Sequence, residues 1–418
     1  MEPRTISTLL IRGARQLLTL RGTRQPRRGP ALQQLGAIPD GALLIEDGVL
    51  VEAGPTRRVE NLAQARTAIE ISAAGRVVMP GFVDSHTHLL FPFRPSCDSE
   101  PGASEHALRS VTGMRLETQA RVHLEAMARH GTTTVEVKTE CGPESEAELK
   151  LLRVLEAVKW RPLDIVPTTL LASPPSGVAE QQQWSGLDQW LAGEFLPKVK
   201  RRRLASFADV FCENISALSE SWSRYLAVAQ SLGLGRKVHA EGPASEAVAL
   251  AVKYGAASVD HLEYAGPEDI ARLGSSETVA TLLPAASFHR DARYAPARAL
   301  IDAGAAVALG TNFNPHHTPT LNMQAIIKLA CCRMGMTPAE AVCAATINAA
   351  HALGCAGRVG SLEPGKSADL LILNISDYRE LAHHFGMNLV HRTMKRGEII
   401  WDEGQVAPRA PKDLRPAW

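Results

Sequence analysis

Residues 77–88, VVMPGFVDSHTH, place two histidines directly after a run of apolar and β-branched residues. Similar runs recur along the chain, separated by helix-like stretches such as SEAELKLLRVLEAVKW. They are TTTVEVKTE (132–140), LDIVPTTLL (163–171), ADVFCEN (208–214), RKVHAEG (236–242), ASVDHLEY (257–264), TVATLLP (278–284) and AVALGTN (306–312). Eight strands that alternate with helices predict an α/β fold, a (β/α)8 TIM barrel rather than an open doubly wound sheet.

The two ends of the chain have a different pattern. STLLIRGARQLLTL and GALLIEDGVLVEAG near the N-terminus read as strands, and Glu46-Asp47-Gly48 favours a hairpin turn. GKSADLLILNIS and LVHRTMKRGEIIW near the C-terminus show the same pattern. We therefore predict a small β-sandwich domain formed by both termini. Its two parts are placed at residues 1–77 and 363–418, around a barrel at residues 78–362.

Composition limits the classes of function. The chain has 418 residues, with 45 Lys plus Arg against 44 Asp plus Glu, so its formal net charge is only +1. A nucleic-acid surface or a polybasic membrane patch would need a basic excess, so neither partner is expected. No apolar stretch reaches the roughly 18 residues of a membrane span. Seven cysteines without a CxxC pair argue against a disulfide framework, and a cytoplasmic location is expected.

Four histidines stand at the ends of three predicted strands. His86 and His88 are two residues apart, so on an extended strand they share a face and point to the mouth of a barrel. His239 and His261 each end a later β-branched run. Neutral imidazole is a preferred ligand of zinc and iron. The pattern predicts a metal site, with His239 favoured as the third ligand and His261 as a contact to substrate or transition state.

The sequence resembles the amidohydrolase superfamily and, within it, the imidazolonepropionase family, the cyclic-amide hydrolases of histidine degradation. The matching segments are PGFVDSHTHLLF, HGTTTVEVK, ADVFCE, KVHAE, SVDHLEY, ALGTNFNP, MTPAEAVCAATINAAHALG and GSLEPGKSADLLIL. The resemblance implies a barrel with a composite β-sandwich, a small-molecule substrate and one divalent metal ion, Zn or Fe, that activates water. It also suggests a homodimer. Carried over, the metal ligands are His86, His88 and His239, with His261 close to the substrate.

This chain departs from the family pattern at the proton-transfer positions. Asn312 stands where the family has a metal-linked Asp, and its neutral amide cannot take a proton, although its oxygen could still bind the metal. We therefore assign Asn312 both to the metal site and to the catalytic residues. The family segment HADE is HAEG here, so Gly242 replaces the usual Glu and Glu241 becomes the carboxylate of this segment.

Further departures fall on the expected substrate pocket. Cys141 and Ser173 stand where the family has a Tyr and a His that contact the substrate, and Arg94 is one residue out of register with the family's Arg. The substrate-binding residues that we predict are Arg94, Cys141, Ser173, Asn314, His316 and His317. Two interpretations stay open: a hydrolase of carbon–nitrogen bonds with a changed substrate, or a protein of this fold with impaired or lost activity.

Two carboxylates offer a substitute for the lost proton carrier. Glu241 follows His239 by two residues and Glu263 follows His261 by two, so each shares its histidine's face on an extended strand. Either could act as base or fourth ligand, unless the Gly242 turn moves Glu241 away. For Glu263 an exposed carboxylate at a strand end is somewhat favoured. In the predicted mechanism His261 stabilises the developing oxyanion, and Glu241 or another group that the sequence does not identify transfers the proton.

Glu136, Lys138 and Glu140 also share one strand face. A lysine between two glutamates favours a structural ion pair. In related hydrolases such a strand lysine is carbamylated and bridges two metals, which is the less favoured case here.

Overall fold

The computed structural model describes residues 8–22, 24–91, 108, 110–139, 145–158, 162–171, 191–212 and 219–404. Three predicted substrate residues, Arg94, Cys141 and Ser173, lie outside these ranges. None of the described helices combines the length and apolar composition that crossing a membrane requires.

The strands, in chain order, are β1 Thr8–Leu18, β2 Ala37–Glu46, β3 Val49–Pro55, β4 Ile69–Ser72, β5 Val77–Pro80, β6 Phe82–Asp84, β7 Thr132–Thr139, β8 Asp164–Leu171, β9 Phe207–Phe211, β10 Gly235–Ala240, β11 Ser258–His261, β12 Val279–Leu282, β13 Val307–Leu309, β14 Leu370–Leu373, β15 Val390–Lys395 and β16 Glu398–Asp402. The α-helices are α1 Thr56–Val59, α2 Gly113–Arg129, α3 Ser145–Val158, α4 Leu196–Arg202, α5 Ser219–Ser231, α6 Ser245–Lys253, α7 Pro267–Gly274, α8 Pro284–His289, α9 Ala297–Asp302, α10 Met323–Arg333, α11 Pro338–Ala344 and α12 Ile347–Ala352.

Strands β6 to β13 form the barrel. They pair in sequence order, and every pair is parallel. The segments that follow the first and last strands close the ring: Thr87 pairs with Phe313, and the Asn312 peptide nitrogen donates to the His86 carbonyl at 3.0 Å. The predicted (β/α)8 barrel is therefore confirmed, and the segment that closes it carries two of the predicted site histidines.

The run VVMPGFVDSH, which the sequence presents as one strand, is two strands. β5 belongs to the second sheet, where it pairs with β1 and β14, and β6 opens the barrel. The chain passes between them at Gly81, where a Cβ atom would lie 2.3 Å from the side chain of Thr133. Only glycine allows that close approach, so the chain crosses between the two sheets at this residue.

The second sheet combines strands from both ends of the chain, in the order β16-β15-β14-β5-β1-β2-β3, with β4 paired to β1. Its buried side chains include Leu17, Leu43, Leu370 and Ile372. Lys395 connects this sheet to the start of β8, because its ammonium donates to Asp164 at 2.8 Å. The prediction of a small β domain built from both termini is confirmed.

Candidate metal centre

The four predicted histidines meet at the carboxyl ends of the barrel strands. His86 and His88 follow β6, His239 lies in β10, and His261 ends β11; their exposed fractions are 0, 6, 2 and 1%. The Nε2 atoms of His86 and His88 are 3.2 Å apart. Ring centroids lie 4.8 Å apart for His86 and His239, and 4.3 Å apart for His239 and His261. Residues far apart in the chain thus surround one small space.

Not every triple within this cluster is equally compact. Ligand nitrogens of His86, His239 and His261 all lie within 4.8 Å of one another. The ring centroids of His88 and His239 are 5.9 Å apart. Both the triple expected from the sequence and the triple that contains His261 are therefore candidate ligand sets.

An unusual backbone conformation brings His261 into the cluster. Successive residues of a strand face opposite sides of the sheet. Asp260 and His261 are successive, yet both face the barrel interior. His261 and Leu262 have φ values of +81° and +68°, and Asn312 has +53°. Left-handed backbone at non-glycine residues costs free energy and commonly accompanies functional sites. Here it interrupts the alternation and turns the His261 ring inward.

Burial keeps three of the imidazoles neutral. It lowers the pKa of His86 and His239 well below the ordinary value, and the pKa of His88 to about 3. The positive charge of Lys138 acts in the same direction on all three. Neutral imidazole is the form that binds a metal ion.

His261 differs from the other three histidines. Burial alone would lower its pKa, but the carboxylate of Glu263, whose Oε1 lies 3.2 Å from His261 Nδ1, raises the pKa above the ordinary value. Glu263 is only 5% exposed, so the expectation of an exposed strand-end carboxylate is wrong. The positive φ of His261 explains this, because it directs the following residues back toward the interior.

Several buried polar atoms in this space have no hydrogen-bond partner among the described residues: His239 Nδ1, His261 Nε2 and Asn312 Oδ1. Leaving such an atom unsatisfied costs about 1–3 kcal/mol. Two imidazole nitrogens bound to one tetrahedral zinc ion stand about 3.3 Å apart, from Zn–N bonds of about 2.0–2.1 Å. The 3.2 Å separation of His86 and His88 Nε2 agrees with that value. The residues present fit a divalent cation.

Glu241 stays at the mouth of the barrel. Its Oε2 lies 3.9 Å from His239 Nε2, and its Oε1 pairs with the guanidinium of Arg290. Burial would raise the pKa of Glu241, but the charges of His261 and Arg290 outweigh this effect and lower the pKa below its ordinary value, so the carboxylate is ionised. The turn at Gly242 therefore does not carry Glu241 away from the histidines.

The predicted loop residues lie beside this mouth. Asn314 is buried, and its Oδ1 accepts hydrogen bonds from the peptide nitrogens of His316 at 2.9 Å and His317 at 3.3 Å. Part of the His317 side chain is exposed. The partial burial of the rest lowers the pKa of its imidazole, as do the charges of His316 and Arg290, while the charge of Glu241 raises it. The amide oxygen of Asn314 thus holds the turn, while the histidines face the opening.

A layer of fully buried charges lies behind the histidines: Glu136, Lys138, Asp209, Lys237 and Asp260. Lys138 Nζ pairs with Asp209 and lies 3.1 Å from Asp260 Oδ2 and 3.4 Å from Glu136 Oε2. Lys237 Nζ lies 2.6 Å from Glu136 Oε2 and 3.4 Å from Asp260 Oδ2. The predicted ion pair of Lys138 with Glu136 is present; Glu140 lies outside the described residues.

These contacts count against carbamylation of Lys138. Burial would lower the pKa of its ammonium, but Asp209 and Glu136 raise it well above the ordinary value. A protonated amine has no lone pair for attack on carbon dioxide.

Sequence reasoning missed Asp209, Lys237 and Asp260, as well as Arg290. A signal existed for the first three, because each is a charged residue at an inward position of an otherwise apolar run. Lys237, for example, stands two residues before His239. Arg290 follows α8 and gave no comparable signal.

Comparison with known proteins places the chain among sequence relatives of full length. A model of the Amidohydrolase family matches residues 215–400. The imidazolonepropionase of Symbiobacterium thermophilum is 41% identical, over 96% of this chain and 99% of that protein. The imidazolonepropionase of Geobacillus kaustophilus is 37% identical, over 95% and 99%.

Among solved structures, an adenosine deaminase from Xanthomonas campestris with bound zinc has a TM-score of 0.68 at 19% identity, covering 94% of this chain and 92% of that one. At this identity the likeness shows a shared fold.

Proposed function

Since the chain belongs to the imidazolonepropionase family of the amidohydrolases, a family of metal-dependent hydrolases acting on carbon–nitrogen bonds, we propose that it opens the ring of a small cyclic amide with a single zinc or iron ion. The observation that carries the proposal is the group of four buried imidazoles at the barrel mouth. Two of them, His239 and His261, each have a nitrogen atom with no hydrogen-bond partner among the described residues. A buried cluster of this kind is costly in a protein without a ligand and favourable in one that binds a cation.

We propose that His86, His88 and His239 hold the ion, and that His261 faces the substrate. A set with His261 in place of His88 is the second candidate, supported by the 4.8 Å limit on its nitrogen separations. One ion is proposed because Lys138 and Lys237 already form ion pairs with Glu136 and Asp260, the carboxylates behind His86. When bound, zinc or iron supplies Lewis acidity that brings the pKa of water toward 7.

The chain's own residues would carry the remaining steps. Hydrolysis adds the hydroxyl of water to the ring carbonyl carbon and a proton to the ring nitrogen, and the bond between those two atoms breaks. In its protonated form, which the carboxylate of Glu263 favours, His261 would donate Nε2–H to the developing oxyanion. Glu241 accepts the proton of the attacking water at Oε2 and delivers it to the leaving nitrogen. The Oδ1 atom of Asn312 would face the space between the histidines and accept a hydrogen bond there, but the neutral amide would take up no proton.

The substrate side of the proposal is a ring compound with an anionic substituent. The loop of Asn314, His316 and His317 would contact it, together with Arg94, Cys141 and Ser173, which lie outside the described residues. Imidazolonepropionate, the substrate implied by the names of the relatives, is the first compound to test.

The proposal is tested by metal content and turnover of the purified protein. We expect about one equivalent of zinc or iron and ring opening of imidazolonepropionate or another member of a panel of cyclic amides and N-acyl compounds, followed by product mass. Bound metal without turnover on any member would support the alternative, a non-catalytic relative that keeps the metal. Protein that takes up no zinc and no iron would refute the metal site.

Matched histidine variants separate the two ligand sets. His88→Ala should abolish metal retention if His88 is a ligand, while His261→Ala should keep the metal and lose turnover. The reverse pattern would assign His261 to the metal. His384→Ala, which removes an imidazole paired with Glu380 outside this cluster, is the control and should retain both properties.

A further inference from the structure

Asp260 is the one carboxylate of the charged layer that touches a site histidine among the described residues. Its Oδ2 lies 2.8 Å from His86 Nδ1, and both side chains are fully buried. In this contact the imidazole donates Nδ1–H to the carboxylate. A neutral imidazole with its proton on Nδ1 carries its lone pair on Nε2. That atom is the one 3.2 Å from His88 Nε2.

Three further donors hold Asp260 in place. The hydroxyl of Ser258 donates to Oδ1 at 2.5 Å, and the ammonium groups of Lys138 and Lys237 lie 3.1 and 3.4 Å from Oδ2. Both carboxylate oxygens are thereby fixed, so the plane of the acceptor that faces His86 is fixed as well. This leaves the carboxylate little freedom to follow a ring that rotates.

The charge of the layer is uneven. Three carboxylates, Glu136, Asp209 and Asp260, face two ammonium groups, Lys138 and Lys237, within one buried group. The proposed ligands on the other side of His86 are neutral imidazoles and a neutral amide. The layer thus has one more carboxylate than ammonium group, and Asp260 is its member in hydrogen-bond contact with His86.

We propose that Asp260 is a positioning residue for the metal site: it fixes the tautomer and orientation of His86 and makes its Nε2 a stronger donor to the ion. The inference rests on the proposed metal function and deepens it. A carboxylate bonded to the far nitrogen of a ligand imidazole raises the basicity of that ligand, and loss of such a partner lowers metal affinity about 10–100-fold.

The test compares two alanine variants of the same layer. Asp260→Ala should weaken zinc affinity of the full-length protein about 10–100-fold in competition with a chelator. Asp209→Ala removes the same charge from the same layer and takes a partner from Lys138, but among the described residues Asp209 has no hydrogen bond or ion pair with an imidazole. It should affect zinc affinity much less. The cobalt-substituted Asp260→Ala protein should also show an altered visible absorption spectrum, which reports the ligand geometry, whereas Asp209→Ala should keep the wild-type spectrum.

Folding is monitored by the thermal unfolding midpoint of each variant. If either alanine variant does not fold, the Asp260→Asn and Asp209→Asn pair replaces it, because asparagine keeps the shape; Asp260→Asn should again lose more affinity, since a neutral acceptor bonds the imidazole more weakly. Equal losses in the 260 and 209 variants would overturn the proposal and leave only a general charge effect. Unchanged affinity and spectrum in Asp260→Ala would also overturn it. Wild-type protein that binds no zinc would instead refute the proposed metal function itself.

Discussion

Gly310 packs against His86, a proposed metal ligand, and its replacement by alanine tests how tightly the site is built. A Cβ atom at residue 310 would lie 3.0 Å from His86 Cβ, 3.1 Å from the His86 peptide nitrogen and 3.1 Å from Leu283 Cδ2. Ordinary carbon contacts are about 3.5–4.0 Å, so these neighbours would have to move by about 0.5 Å.

The backbone around His86 has little room for that movement. The Asn312 peptide nitrogen donates to the His86 carbonyl, and the hydroxyl of Ser85 donates to the Leu309 carbonyl at 3.0 Å. Overpacking a closed core costs about 1–3 kcal/mol. We therefore expect Gly310→Ala to lower the free energy of unfolding by that amount, measured by urea denaturation, and to weaken zinc retention because the His86 ring is displaced.

Gly193→Ala is the matched control. No heavy atom of the described residues lies within 4 Å of a Cβ built at this residue, so the substitution should be neutral or stabilise by up to about 1 kcal/mol. If Gly310→Ala unfolds like the control and retains zinc like the wild type, the contact between the last strand and His86 does not constrain the site, and the reasoning fails.

The other predictions concern the metal and one helix cap. Asn312→Asp should strengthen zinc retention against a chelator, since a carboxylate replaces the amide oxygen; unchanged retention would argue that Asn312 is not a ligand. Dialysis against a chelator should lower the thermal unfolding midpoint, and zinc at 100 times its Kd should restore about 2.7 kcal/mol of unfolding free energy. A midpoint that changes with neither treatment would contradict a metal site in the folded protein. Thr337→Ala removes the hydroxyl that accepts from the Glu340 peptide nitrogen at 3.3 Å, and should cost about 1 kcal/mol of unfolding free energy in urea titrations. Burial would raise the pKa of Glu340, but its hydrogen bonds to Thr337 and Arg298 lower the pKa below the ordinary 4.5. The contribution of ionised Glu340 to the free energy of unfolding is therefore present above pH 4.5 and lost as the pH falls through the folded-state pKa. The difference in unfolding free energy between wild type and Glu340→Gln should shrink in acid, and a difference independent of pH would refute this.

The barrel and the convergence of the histidines could be predicted from the sequence. Short β-branched runs separated by helices have few architectures, and in a barrel all strands end at the same mouth. For this reason His239 and His261 could be placed beside His86 although they are far from it in the chain. The break between β5 and β6 could not be predicted, because it depends on how closely Thr133 approaches Gly81.

Three members of the polar layer behind the site, Asp209, Lys237 and Asp260, were missed for a different physical reason. A charged residue in a strand pattern is usually a sign of exposure. Only the structure shows that Asp209 faces Lys138, and Lys237 faces Glu136, on other strands inside the barrel. Glu263 was misjudged in the same way, because the positive φ of His261 that turns the strand end inward has no signature in the residue types.

The strand order of the small sheet has a consequence for biosynthesis. β5 is flanked by β1, made shortly before it, and by β14, made only after the whole barrel. A nascent chain on the ribosome therefore carries an open edge at Val77–Pro80 throughout translation of the barrel, next to the strand that leads to His86. An open edge can pair with another chain, so this segment has an unpaired edge of that kind until Leu370–Leu373 has been made.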